Sequence, residues 1–167
     1  MQRIPDYPFR IISVDPGMNT GLACMCAGVE ELVLEETRVT GYSPLEGVSP
    51  LADLREWNRA HTDLPVVLVY EDFHVRPGRM KPETTALRVL GGIEELVRTE
   101  SPYVAVVPRE PVQGKLAVTD AVLDRMGMRG RGGLTRHAND AVRHTVAWLA
   151  SLGYVPACKA AWPSRDE

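Results

Sequence analysis

Two hydrophobic periods alternate along this chain and divide it into strands and helices. Phe9-Arg-Ile-Ile-Ser-Val14 is a short β-branched run that stops at Asp15-Pro16-Gly17, a turn signal. Gly21 to Ala27 is small and apolar, and Leu32 to Thr40 alternates as a strand does. Short connections make these three an antiparallel meander. Ser49 and Pro50 suit the N-cap and first position of a helix over Leu51 to His61. Pro65-Val-Val-Leu-Val-Tyr70 is apolar on both faces, which predicts a central strand, and it ends at Glu71-Asp72. Thr84 to Arg98 carries Leu87, Leu90, Ile93, Leu96 and Val97 at helical spacing, and Tyr103 to Val107 is a further short strand. Leu116 to Met126 reads as a helix, Gly127 to Gly133 as a mobile glycine-rich loop, and Leu134 to Leu152 as a last helix with Gly153 as its C-cap. The order β-β-β-α-β-α-β-α-α predicts an α/β fold with one mixed five-stranded sheet and helices on both faces. Residues 1–155 form the expected domain, and 156–167, without a pattern, a loosely ordered tail.

Composition narrows the class. The 167 residues, 44% hydrophobic and 25% charged, suit a globular domain, and the scarcity of aromatics leaves its core to Val, Leu, Ile and Ala. No apolar run approaches the roughly 20 residues of a membrane-spanning helix, and Met1 to Arg10 lacks the apolar stretch of a signal peptide, so a cytoplasmic location is expected. Cys24, Cys26 and Cys158 lack disulfide or zinc spacing and read as small apolar side chains. A net charge of −3 argues against a protein that coats nucleic acid. Two local clusters, Arg76-Arg79-Lys81 and Arg125-Arg129-Arg131-Arg136, remain compatible with a DNA substrate.

Three acids change the picture further. Asp15 and Glu71 follow strands, and strand ends in an α/β sheet form a natural crevice; Asp140 falls within the last helix. Taken singly, Asp15 suits a turn and Asp140 a solvated helix surface. Crowded together they would repel, and the usual remedy is a divalent cation, with oxygen donors favouring Mg²⁺ or Mn²⁺. His137, three residues before Asp140, shares its helix face and suits a metal ligand or general base; His144, four residues after Asp140, could share that face too.

These residues carry a resemblance. A strand followed by Asp15-Pro16-Gly17 and Thr20-Gly21, a strand followed by Glu71, and His137-x-x-Asp140-Ala141 resemble the RuvC-type Holliday-junction resolvases of the RNase H-like superfamily. The resemblance runs from about Ile11 to Leu152. It implies an RNase H-like fold and a catalytic site in which Asp15, Glu71, His137 and Asp140 hold two divalent cations. It also implies hydrolysis of branched DNA, above all four-way junctions, to 5′-phosphate and 3′-hydroxyl ends. A homodimer matching the two-fold symmetry of the junction is implied as well, with Thr84–Val97 as its interface by analogy, although the apolar stripe of that helix suits ordinary core equally well. Lys115 would approach the DNA backbone, joined by Arg76, Arg79, Lys81 and Arg131 as phosphate contacts. Phe73 and His74 stand near the position of the family's stacking aromatic. Two features depart from the pattern: only Met18 and Asn19 separate Asp-Pro-Gly from Thr-Gly, and His74 takes the place of the aromatic. These variations look more like phage-encoded members acting in a bacterial or phage-infected cytoplasm. Less selective cleavage of flaps, other DNA or RNA, and non-catalytic junction binding, are the competing readings. An actin-like ATPase fits poorly, since it needs a second domain and the chain has no P-loop.

Overall fold

The computed structural model describes residues 7–43, 45–46, 49–60, 63–73, 84–100, 103–130 and 135–163. Its elements are β1 (Phe9–Asp15), β2 (Asn19–Ala27), β3 (Leu32–Gly41), α1 (Pro50–Ala60), β4 (Val66–Glu71), α2 (Thr84–Glu100), β5 (Tyr103–Arg109), α3 (Pro111–Ala117), α4 (Asp120–Arg125), α5 (Thr135–Ser151) and α6 (Val155–Ala161). The strands form one mixed five-stranded sheet in the order β3-β2-β1-β4-β5. β1 pairs antiparallel with β2 and parallel with β4, and β4 is parallel to β5. The expected meander followed by parallel crossovers is therefore present. No helix among the described residues is long and apolar enough to cross a membrane.

Strand parity sorts the core into two layers, because successive side chains leave opposite faces of a strand. Phe9 and Ile11 of β1 and Val67 and Val69 of β4 pack with Ala141, Val142 and Val146 of α5 and with α4 and α6. Ile12, Val14 and Leu68 point the other way, onto Leu54 and Trp57 of α1 and Val89 and Ile93 of α2. β1 is buried throughout, as a strand with neighbours on both edges and helices on both faces must be. The helix α5 is buried from Ala138 to Leu149 and lies across β2, β1 and β4.

Sequence signals at several element ends hold. The Ser49 hydroxyl accepts from Leu51 N at 3.3 Å and opens α1. Gly153, at φ 73°, closes α5, with Tyr154 N donating to Leu149 O at 3.0 Å. Elsewhere the structure departs from the pattern. The helix expected over Leu116–Met126 is two helices, α3 and α4, separated by extended backbone at Val118 and Thr119. The Thr119 hydroxyl accepts from Val122 N at 3.4 Å and restarts the helix, so apolar spacing that looked continuous belongs to two elements. Residues 155–161, mostly assigned to a loose tail, form α6. Its buried face is Ala157 and Ala161, one turn apart and too small to register as an apolar stripe. The stripe of α2 faces the sheet, burying Ala86, Val89, Leu90, Ile93 and Leu96, so most of the surface considered for a dimer interface is core. His61, part of the glycine-rich loop and the last residues of the tail lie outside the described residues.

Candidate metal centre

Parity also aims the two strand acids. Asp15 follows Phe9, Ile11 and Ser13 on the face of β1 that meets α5, and Glu71 follows Val67 and Val69 on the same face of β4. The strands run parallel with Val14 beside Tyr70, so both carboxylates emerge at neighbouring strand ends. From above, α5 presents His137, Asp140 and His144 at spacings of three and four, one stripe of its surface. The stripe reaches the sheet because β2 offers a glycine. Gly21 pairs with Asp15 across the strands, and a Cβ there would lie 2.0 Å from the carbonyl oxygen of His137. Beside it, the Thr20 hydroxyl donates to Gly17 O at 3.0 Å and closes the turn.

Asp15, Glu71 and Asp140 are 5%, 8% and 5% exposed, and His144 is fully buried. One donor atom each from Asp15, Glu71 and His144 lies within 4.8 Å of the others, a cluster that could hold a metal ion. His137 Nδ1 lies 3.0 Å from Asp15 Oδ2, and His144 Nε2 lies 2.7 Å from Glu71 Oε2. Lys115 reaches in from α3, its Nζ 3.5 Å from Glu71 Oε2 and 3.4 Å from Asp140 Oδ2. Arg143 grips the far side of Asp140: Nη1 donates to Asp140 Oδ1, Nη2 to Asp120 Oδ1, and Nε to Val118 O at 2.9 Å.

The electrostatics follow from this crowding. Burial pushes the Asp15 carboxyl above the ordinary carboxylate range; Glu71 and Asp140 add to the rise, while His137 and Lys115 oppose it. Burial works in the same direction on Glu71, but the His144 hydrogen bond and the Lys115 charge outweigh it and leave that carboxyl low. The hydrogen bond to Asp15 raises His137, against the effect of burial. Lys115 is half-buried, which opposes its charge, yet Glu71, Asp140 and Asp15 hold its ammonium above the usual range. Among the described residues, Lys115 and Arg143 bring positive charge to the acids, and His137 and His144 add hydrogen bonds. Buried carboxylate oxygens converging at strand ends suit a hard divalent cation, so this donor set fits Mg²⁺ or Mn²⁺.

The structure thus brings Asp15, Glu71, His137 and Asp140 together and adds Lys115 to them. Phe73 lies two residues past Glu71 and is half-buried against the apolar layer of α1 and α2. His74, Arg76, Arg79, Lys81 and Arg131 lie outside the described residues. Asp120 was not anticipated, and Arg143, though three residues after Asp140 in the sequence, had been given no role. A cleft lined by Lys115, Thr119, Asp120, Arg136, Asp140 and Arg143 opens beside the acids. It shares Asp120, Arg136 and Arg143 with a second hollow that Asp124, Arg129 and Asn139 complete.

No protein-family model and no curated protein matches this sequence. Solved structures do match the fold. Thermus thermophilus RuvC aligns at 19% identity with a TM-score of 0.59, over 87% of this chain and 97% of that one. The same protein in complex with a Holliday junction substrate aligns at 19% identity and a TM-score of 0.60, with the same coverage of both chains. The yeast mitochondrial Holliday junction resolvase aligns at 15% identity and a TM-score of 0.52, over 91% of this chain and 84% of that one. This chain therefore has the RNase H-like fold of the RuvC-type junction resolvases.

Proposed function

We propose that this chain is a divalent-metal-dependent endonuclease acting on branched DNA, with four-way junctions as its main substrate. The observation that carries the reading is the burial of Asp15 and Glu71 at neighbouring strand ends beneath the α5 stripe that bears Asp140, in a fold shared with junction resolvases. Asp15, Glu71, His137 and Asp140 would hold two Mg²⁺ or Mn²⁺ ions. Such ions supply Lewis acidity at the phosphodiester and activate the attacking water. Around them the protein supplies position and charge. His137, partly exposed beside Asp15, is placed to ligate or to take a proton from water. Lys115, held cationic by three acids, suits the charge of a scissile phosphate. Arg136 is exposed at the cleft and suits the phosphates flanking it.

A relative solved with a Holliday junction supports the choice of substrate. Paired nicks call for a C2 homodimer, whose two sites match the symmetry of the junction. The shortened Asp15–Thr20 motif and His74 favour a phage-type member with reduced selectivity for junction structure. The test is incubation with Mg²⁺ or Mn²⁺ and labelled four-way junction, flap, single-stranded and RNA–DNA hybrid substrates, for wild type and Asp15→Asn. Metal-dependent symmetric nicking of the junction, lost in the variant, is expected. Metal-independent binding without cleavage of any substrate would establish a junction-binding protein instead.

A further inference from the structure

We propose that His144 is a positioning residue: it fixes the Glu71 carboxylate for metal binding and is not itself a ligand, and Gly114 of α3 seats its ring. The proposal rests on the metal-dependent reading above. Three observations carry it. His144 is fully buried, with Nε2 2.7 Å from Glu71 Oε2. Its other nitrogen, Nδ1, is buried with no hydrogen-bond partner among the described residues. A Cβ built on Gly114 would lie 2.9 Å from that Nδ1, 3.1 Å from Cε1 and 3.3 Å from Cγ. The imidazole is thus held between the backbone of α3 and the carboxylate at the end of β4.

The two nitrogens decide between the roles. A histidine that binds a metal through one nitrogen carries its proton on the other, and that N–H almost always finds a carboxylate, carbonyl or water. Ligation through Nε2 would put the proton on Nδ1, buried against Gly114 without an acceptor among the described residues. A buried donor left unpaired loses its hydrogen bond to water and gains nothing in return. With the proton on Nε2, the ring donates a charge-assisted hydrogen bond to Glu71 and leaves only a lone pair facing Gly114. The proximity of the His144 nitrogen to the acids is then that of a donor to Glu71. His137, with its partly exposed side chain beside Asp15, remains the histidine placed to reach a cation.

Holding Glu71 matters because a glutamate has three side-chain torsions, and a ligand frozen in advance loses less entropy when the cation arrives. Lys115 also touches Glu71 Oε2, but at 3.5 Å and from a half-exposed side chain, so it is the weaker anchor.

Titration of Mn²⁺ into wild type, His144→Gln and His144→Leu, by calorimetry and by pulsed electron paramagnetic resonance, tests this. The glutamine amide can donate from near the position of Nε2 but offers no imidazole nitrogen. His144→Leu should weaken Mn²⁺ binding about 10- to 100-fold, and His144→Gln should stay within about threefold of wild type. The nitrogen modulation of bound Mn²⁺ should be unchanged in His144→Gln. Equal losses in both variants, no loss in either, or reduced nitrogen modulation in His144→Gln would overturn the proposal. Should His144→Leu fail to fold by circular dichroism, the glutamine variant alone still decides through its affinity and spectrum. Wild-type protein that binds no Mn²⁺ overturns the metal-dependent reading, and this proposal with it; binding by wild type alone overturns only the proposal.

Discussion

Replacing Asp15 with asparagine keeps the size of the side chain and removes one negative charge from the acid cluster. Asp15 and Glu71 have donor atoms within 4.8 Å of one another, and both are buried. At an effective dielectric of about 20, two unit charges at that range repel by about 3 kcal/mol. His137, 3.0 Å from Asp15, and Lys115 offset part of this, and asparagine gives up the charge on the His137 bond. A net gain of about 1–2 kcal/mol for the metal-free protein is expected, or roughly 3–6 °C in Tm for a chain of this size. Calorimetric melting in EDTA measures it. The pH dependence has a definite sign. Folded Asp15 binds its proton more tightly than the unfolded residue, so wild type loses stability as pH rises from the ordinary value of 3.8 through the raised one. Asparagine carries no such titration, so the gap between the two proteins should be small at the acid end and widen with pH across that window. Adding Mg²⁺ at about ten times its dissociation constant should return about 1.4 kcal/mol to wild type and almost nothing to the variant. A variant that melts below wild type in EDTA, or gains as much from Mg²⁺, would refute the reasoning.

Three further substitutions probe separate parts of the argument. Gly21→Ala places a Cβ 2.0 Å from the carbonyl oxygen of His137, so α5 must shift; a loss of about 3 kcal/mol or more in urea denaturation and loss of Mn²⁺ binding are expected. Arg143→Met leaves the buried Asp140 carboxylate with Lys115 alone, at a cost of about 3 kcal/mol, and adding Asp140→Asn should restore much of the stability but not cleavage. Tyr154→Phe removes a hydroxyl that donates to Gly28 O and to Glu31 O, at 3.0 Å in the second case, beyond the other end of β1. It should cost about 1 kcal/mol in urea denaturation and leave Mn²⁺ affinity unchanged in calorimetry.

Much of the fold was legible because local chemistry and burial agree. The run Pro65–Tyr70 is apolar at every position, and β4 lies between two strands under helices on both faces. Ser49 and Gly153 act as the caps their residue types suggest. The pattern misled where two elements shared one apparent period, at α3 and α4, and where the buried face was too small to see, at α6. At the site, Asp15 and Glu71 could be placed at strand ends from the apolar runs before them, and the His137–Asp140 spacing from helical period alone.

By itself, then, the sequence determined which acids end strands and which polar residues line one stripe of the last helix, because both follow from the periods of strand and helix. The tertiary structure decided which of these residues meet. Whether Asp15 faces α5 or α1 depends on the pleat and register of β1, and whether α5 comes close enough depends on Gly21 across the sheet. His144 gained its partner from β4 and its seat from α3, segments 73 and 30 positions away in the chain. Arg143 became the anchor of Asp140 only because Val118 and Asp120 fold back beside it. Such contacts join residues with no local relation, so no period along the chain records them.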